Sequence, residues 1–132
     1  MSLLQGSTFI NKAYQNLSPH LWIVLSDPNL DNDRIVIVDI TTWRDRAIFL
    51  NDASCIVEAG EHPFVKKKSY VFYREARITS QSDMEKCIAV GLMTPQEDCR
   101  PELLERVLVG ASQSPQTPIK IIGVLEDQGL IE

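Results

Sequence analysis

The stretch GEHPFVKKKSYVFYREAR, residues 60–77, collects the side chains best suited to acid–base chemistry in this sequence. His62 belongs to the residue type that exchanges protons near neutral pH, and five basic residues follow it in the stretch, against Glu75 alone. Cleavage of an RNA phosphodiester needs a base for the 2′-hydroxyl, an acid for the leaving oxygen and cations for the developing charge. The stretch therefore indicates a site that could act on the phosphodiester bonds of RNA.

Binding residues are also present in this stretch. The lysine cluster Lys66, Lys67 and Lys68 would attract a polyanion, and Tyr70 and Tyr73 would stack on unpaired bases. A second interpretation stays open, because adjacent lysines often form a solvated edge and alternating aromatic residues often pack in a core. The histidine before a proline would then be a structural hydrogen-bonding group.

No spacing typical of a metal or cofactor site occurs. The three cysteines, Cys55, Cys87 and Cys99, are odd in number and widely spaced, which favours free thiols over disulfides or a zinc site. The segment DPNLDNDR lacks the glycine and the distal glutamate of a calcium loop, and the glycine-rich nucleotide motifs and G-x-S-x-G are absent from the sequence. We expect neither a metal nor a cofactor.

Length and composition predict one soluble domain over residues 1–132, since 44% of the residues are hydrophobic and 23% are charged. No apolar run approaches the ~18 residues of a membrane span, and the N-terminus lacks the pattern of a secretory signal. We therefore expect a cytoplasmic protein without a membrane segment. The net charge is −5, and the acidic excess falls in residues 81–132, which carry four basic and nine acidic side chains.

Apolar and β-branched patterns predict about five short strands in residues 1–79. The predicted strands are residues 7–10, 20–26, 34–42, 54–58 and 69–78. No helical pattern intervenes, so we expect an antiparallel meander that closes into a small barrel. Asp39 falls on the same face of its strand as Ile35 and Ile37, so it either lies near water at the strand end or is buried with a partner.

Helical patterns dominate residues 80–132. Helix starts are predicted at a Ser82-x-x-Glu85 capping box, at Thr94-Pro95, at Pro101 and at Thr117-Pro118. Helix ends are predicted at Gly91, Gly110 and Gly129. The expected fold is therefore α+β, a barrel over residues 1–79 with a C-terminal helical tail, residues 80–132, packed on it.

The order of HLWIVLSDP, RIVIVDITT, SCIVEAGEHPF and SYVFYREARI, followed by helices, resembles the PemK/MazF-like growth-inhibitor superfamily, the toxins of toxin–antitoxin pairs. The resemblance covers residues 7–78. It implies an SH3-like barrel, a homodimer, metal-independent cleavage of single-stranded RNA and a groove that an acidic antitoxin segment occupies. The Arg-Pro pair typical of that family has no counterpart before Leu21, so its catalytic arginine has no matching position.

Two functional hypotheses follow. The first is a toxin-like protein that binds single-stranded RNA, with endoribonuclease cleavage as a further step of the hypothesis. Its candidate catalytic residues are His62, Arg74, Arg77 and His20, and its candidate binding residues are Lys66, Lys67, Lys68, Tyr70, Tyr73, Thr41 and Thr42. The second is a non-catalytic module that binds an acidic peptide or an antitoxin-like partner through the same basic face, or that pairs its apolar strands in a homodimer.

Overall fold

A computed structural model describes residues 3–12, 19–45 and 50–132. These residues form an α+β fold with one six-stranded antiparallel sheet and three helices. The elements are β1 Thr8–Asn11, β2 His20–Val24, β3 Ile35–Thr42, β4 Ile56–Val57, β5 Ser69–Thr79, α1 Gln81–Ala89, β6 Met93–Gln96, α2 Pro101–Gln113 and α3 Ile119–Asp127. The strand order is β4-β5-β3-β2-β1-β6, and the sheet curls into half a barrel.

Apolar side chains cover both faces of the central strands β2 and β3. One face forms a core with α2 and α3, to which the two strands and the residue after β2 contribute Leu21, Ile23, Leu25, Val36, Val38 and Ile40. The opposite face contributes Trp22, Val24, Ile35 and Ile37 to a second core that includes Met84 of α1. Burial on both faces explains why these strands appear in the sequence as nearly continuous apolar runs.

A bulge in β5 bends the sheet. Ile37 pairs with Arg77, whereas Asp39 pairs with Phe72, so residues 73–76 of β5 lie opposite Val38. Extra residues on one strand increase the local bend and twist of a sheet. The bulge lies beside Asp39 and therefore shapes the end of the sheet where the polar cleft described below is found.

Strand predictions agree with the structure for β1, β2, β3 and β5, and β4 is shorter than expected. The sequence predicts only helices in residues 80–132, but residues 93–96 form β6, which pairs with β1. Pro95 within β6 pairs with Phe9. The strand β6 is an edge of the sheet, where a proline without an N–H group is tolerated, so Thr94-Pro95 does not begin a helix.

Helix boundaries are partly as predicted. Pro101 begins α2, and α3 follows Thr117-Pro118. The capping serine of α1 is Ser80, whose Oγ accepts the N–H of Asp83, and not Ser82. The prediction that Gly110 ends α2 is wrong, since the helix continues to Gln113. In the described part of the chain, no helix is long and apolar enough to cross a membrane.

Candidate functional site

A polar cleft of about 290 Å³ lies where the start of β2, the end of β3 and the segment before β5 meet. It is called the His20 cleft below. Its lining residues are Pro19, His20, Leu21, Ile40, Thr41, Thr42, Arg44, Phe64, Val65, Lys66, Lys67 and Ser69. The cleft thus brings together a histidine, two threonine hydroxyls and three cationic side chains, which is a suitable set for binding a phosphate.

His20 and Asp39 form the central pair of this site, with 2.8 Å between His20 Nδ1 and Asp39 Oδ2. An ionised carboxylate only accepts hydrogen bonds, so Nδ1 carries the proton. Nε2 is then the ring nitrogen left for a ligand, and among the described residues it has no hydrogen-bond partner. A neutral His20 held in this tautomer presents a proton acceptor to the cleft.

Strand pairing sets the position of this pair. Trp22 of β2 pairs directly with Asp39 of β3, and Leu21 pairs with Ile40. His20 lies two residues before Trp22 and therefore on the same face of the sheet, so it is a diagonal neighbour of Asp39. The pair rests on two central strands and not on a flexible loop.

Because Asp39 is buried, its carboxylate depends on His20 for a hydrogen-bond donor. The Asp39 side chain is 5% exposed, whereas the His20 side chain is 39% exposed. Asp39 Oδ1 is buried and has no hydrogen-bond partner in the described part of the protein. A buried carboxylate with one unsatisfied oxygen gains most of its stabilisation from the nearest donor. Asp39 therefore orients the His20 imidazole through the contact with Nδ1.

Cations line the other side of the cleft. Lys66 and Lys67 are exposed and lie in the segment before β5, and Arg44 follows β3. The Asn51 side chain donates to the Arg44 carbonyl oxygen at 2.6 Å and accepts the Arg44 N–H at 3.0 Å. These two bonds fix the backbone from which the Arg44 side chain extends.

His62 lies in the interior and is 3% exposed. Its Nδ1 accepts the N–H of Phe64 at 3.0 Å, and its Nε2 lies 2.6 Å from the Glu97 carbonyl oxygen and 3.3 Å from Thr8 Oγ1. Both ring nitrogens are thus engaged within the protein, and His62 is absent from the lining of the His20 cleft. Its geometry suits the second interpretation of the sequence, a structural hydrogen-bonding histidine that ties the turn to β1 and the segment after β6.

The remaining predicted residues lie outside the cleft lining. Tyr73 is fully buried, and its hydroxyl donates to the Val107 carbonyl oxygen at 2.6 Å, which leaves no surface for a base to stack on. Tyr70 is 8% exposed, and burial together with the nearby Asp39 charge raises its pKa. Arg74 and Arg77 are exposed on β5, and the Arg77 guanidinium lies 5.8 Å from the Trp22 ring centroid.

Aromatic and acidic residues that follow β3 were not selected from the sequence. The Trp43 ring meets the Tyr70 ring edge to face, with 5.9 Å between centroids, and Lys68 Nζ lies 4.4 Å from the Trp43 centroid. Trp43 Nε1 donates to Asp45 Oδ1 at 3.1 Å. The signal was the succession of Thr42, Trp43, Arg44 and Asp45 at a strand end, which combines a hydroxyl, an aromatic ring, a cation and a carboxylate.

Metal ligands are not clustered in the described residues, since no group of three or more His, Cys, Asp or Glu side chains there could hold an ion. No protein-family model matches the chain, and no curated protein matches it. The function is therefore inferred from the cleft and from the sequence resemblance.

Proposed function

We infer that the protein binds single-stranded RNA in the His20 cleft and cleaves its backbone by acid–base chemistry. The observation that carries this inference is the 2.8 Å contact of His20 Nδ1 with the buried Asp39 carboxylate at a cleft lined by cations. A histidine oriented by a carboxylate is a recurring arrangement for proton transfer in enzymes. Here it stands beside groups that match a phosphate.

Each step of the reaction has a candidate group. His20 Nε2 removes the proton of the ribose 2′-hydroxyl, and the 2′-oxygen attacks the adjacent phosphorus. The bond from phosphorus to the 5′-oxygen breaks, and that oxygen takes a proton from water or from a cleft lysine. The products are a 2′,3′-cyclic phosphate and a 5′-hydroxyl. Lys66, Lys67 and Arg44 lower the energy of the charged transition state electrostatically.

Hydroxyl groups complete the phosphate site. Thr41 and Thr42 end β3 on the same cleft as His20, and their hydroxyls are suitable donors for phosphate oxygens. These two residues and the two lysines are the part of the predicted binding set that lines the cleft. The growth-inhibitor resemblance supports the same function, and with it an SH3-like closure of the sheet, a homodimer and an acidic antitoxin segment belong to this proposal.

The decisive experiment compares the wild type with His20→Asn on a labelled single-stranded RNA at low salt with a chelator present. We expect fragments that end in a cyclic phosphate from the wild type, and a rate about 100- to 10,000-fold lower from the variant. The variant should bind RNA within about threefold of the wild type, because the phosphate contacts remain. RNA that stays intact with the wild type would refute the catalytic proposal.

Non-catalytic binding of an acidic protein segment is the second candidate, and the exposed run of Lys66, Lys67 and Lys68 favours it. In that case an acidic peptide binds with an affinity that falls as salt rises. His20→Asn then leaves this affinity unchanged, while charge reversal of the three lysines removes it. Binding of the peptide without any cleavage of RNA would select this function.

A further inference from the structure

A second pocket, of about 420 Å³, adjoins the His20 cleft. It is called the Trp43 pocket below, and its lining residues are Thr42, Trp43, Arg44, Asp45 and Lys67. Thr42, Arg44 and Lys67 line both pockets. A ligand whose phosphate lies among these shared residues therefore has a neighbouring cavity for the group attached to that phosphate.

The Trp43 ring is held in place before any ligand arrives. Its backbone N–H donates to the Lys68 carbonyl oxygen at 2.9 Å, which continues the pairing of β3 with β5 by one residue. The Tyr70 ring supports the indole at an angle of 87°, and the Asp45 carboxylate accepts the indole N–H. A fixed, half-buried aromatic ring beside cations is the usual platform for stacking a base of single-stranded nucleic acid.

Asp45 is the member of the Trp43 pocket that a plain polyanion site would not contain. Its negative charge repels phosphates, yet it lines the same pocket as the cations of Arg44 and Lys67. The side chain is exposed, and among the described residues Asp45 Oδ2 has no hydrogen-bond partner. A carboxylate in this position suits a ligand group that carries N–H donors.

We propose that the Trp43 pocket binds a guanine base of the RNA, with the base stacked on Trp43 and its Watson–Crick edge bound to Asp45. Guanine presents two adjacent donors, N1–H and the 2-amino group, to a carboxylate. Adenine and cytosine each place an acceptor beside their amino group, and uracil flanks its N–H with two carbonyls, so these bases meet repulsion at the second oxygen. The proposal rests on the proposed function, since it gives the His20 cleft its sequence preference.

The test measures binding of seven-nucleotide 2′-O-methyl RNAs, which have no free 2′-hydroxyl to react. One is all uridine, and the others carry a central guanosine, inosine, adenosine or cytidine. We expect the guanosine strand to bind about tenfold more tightly than the uridine strand, which corresponds to about 1.4 kcal/mol. Inosine lacks the 2-amino group and should lose most of that advantage.

Two variants separate the roles of the ring and the acid. Asp45→Asn, an exposed position, should abolish the guanosine preference while uridine binding stays within about twofold. Trp43→Ala should weaken binding of every RNA strand by about 10- to 100-fold. RNA should quench the tryptophan fluorescence of the wild type but not that of Trp43→Ala, because Trp22, the second tryptophan, is 6% exposed. Asp33→Asn, an exposed aspartate in the turn before β3, is the matched control and should behave as the wild type.

The outcomes distinguish this proposal from the function on which it rests. RNA that binds with equal affinity for all central bases, or Asp45→Asn with an unchanged preference, overturns the guanine pocket and leaves RNA binding standing. Absence of binding to every strand at low salt overturns both. Should Trp43→Ala fail to fold, Trp43→Phe and the exposed Asp45→Asn still decide the matter.

Discussion

His20 on β2 and Asp39 on β3 are diagonal neighbours whose side chains meet at 2.8 Å, one half-exposed in a cleft and the other buried beneath it. The arrangement fixes which imidazole nitrogen faces the cleft. Asp39 itself does not line the cleft, so a ligand there would meet it only through His20.

Asp39→Asn should lower the turnover number for RNA cleavage by about 10- to 100-fold, a part of the effect of a general base. An amide at this position cannot stabilise the imidazolium, whereas the phosphate contacts of the cleft stay intact, so KM should change by less than about threefold. Steady-state kinetics on a short RNA measure both constants. Asp52→Asn is the matched control, since Asp52 is also buried but accepts a hydrogen bond from Ser114 away from the cleft. Equal losses of turnover number in Asp39→Asn and Asp52→Asn would mean that Asp39 contributes only to the stability of the fold.

Lys66→Ala with Lys67→Ala should weaken RNA binding mainly at low salt. Removal of two phosphate contacts lowers the slope of log affinity against log salt by about 1.4 for single strands. The ratio of the wild-type RNA affinity to that of the double variant should then fall about sevenfold between about 50 mM and 200 mM salt. Titrations at four salt concentrations measure this slope. Lys86→Ala with Lys120→Ala, two exposed lysines on α1 and α3, should leave it unchanged.

The sequence was sufficient to predict the main strands, because alternation, β-branching and turn residues are local properties. It was not sufficient for β6, since the pairing of Pro95 with Phe9 depends on contacts far apart in the chain. In the site, too, local patterns predicted some residues, whereas contacts between distant residues were not predictable. His20, Thr41 and Thr42 were selected at strand ends, but the partner of Asp39 depends on the register between β2 and β3, which no local pattern reveals.

His62→Ala should reduce the stability of the fold and spare the chemistry of the folded protein. The substitution leaves the Phe64 N–H without its acceptor, and such a loss costs about 1–3 kcal/mol. It also removes one of the two donors to the Glu97 carbonyl oxygen, which keeps the Thr8 hydroxyl. Urea unfolding measures the free energy of unfolding, and the cleavage rate is measured well below the midpoint. A variant of normal stability without cleavage activity would restore His62 to the catalytic set.

Glu61 should contribute to stability at neutral pH and not in acid. The Arg106 guanidinium binds this carboxylate in a bidentate manner and also donates to the Ile56 carbonyl oxygen, and the hydrogen bond from Arg106 lowers the pKa of Glu61. Because the folded-state pKa lies below the unfolded one, the contribution is complete above the ordinary pKa of about 4.3 and disappears as the pH falls through the folded-state value.

Glu61→Gln should accordingly cost up to about 1 kcal/mol at pH 7, the range for partly exposed ion pairs, and close to nothing near pH 2. Urea unfolding of both proteins across this pH range provides the comparison. Glu105→Gln, on the exposed side of α2, should change stability by less than about 0.5 kcal/mol at each pH. If the difference in free energy of unfolding between Glu61→Gln and the wild type stayed constant with pH, the ion pair of Glu61 with Arg106 would be contradicted.

Gly110→Ala should destabilise the protein, although alanine normally favours a helix interior by about 1 kcal/mol over glycine. A Cβ atom at this position overlaps Tyr73 Oη and lies 3.0 Å from both Cys55 Cβ and the Ser54 carbonyl oxygen. Overpacking of this kind costs about 1–3 kcal/mol. Gly123→Ala on α3, where an added Cβ meets no atom within 4 Å, is the control and should be neutral or stabilising.

Tyr73→Phe tests whether the phenol is what demands the glycine. Alone it removes the hydrogen bond to the Val107 carbonyl oxygen and should cost about 1 kcal/mol or more. Combined with Gly110→Ala, it also removes the most severe overlap, so the double variant should be more stable than the sum of the two single losses predicts. A coupling of about 0.5 kcal/mol or more in urea unfolding would support this account, and strict additivity would show that the contacts with Cys55 and Ser54 alone exclude a side chain from this position.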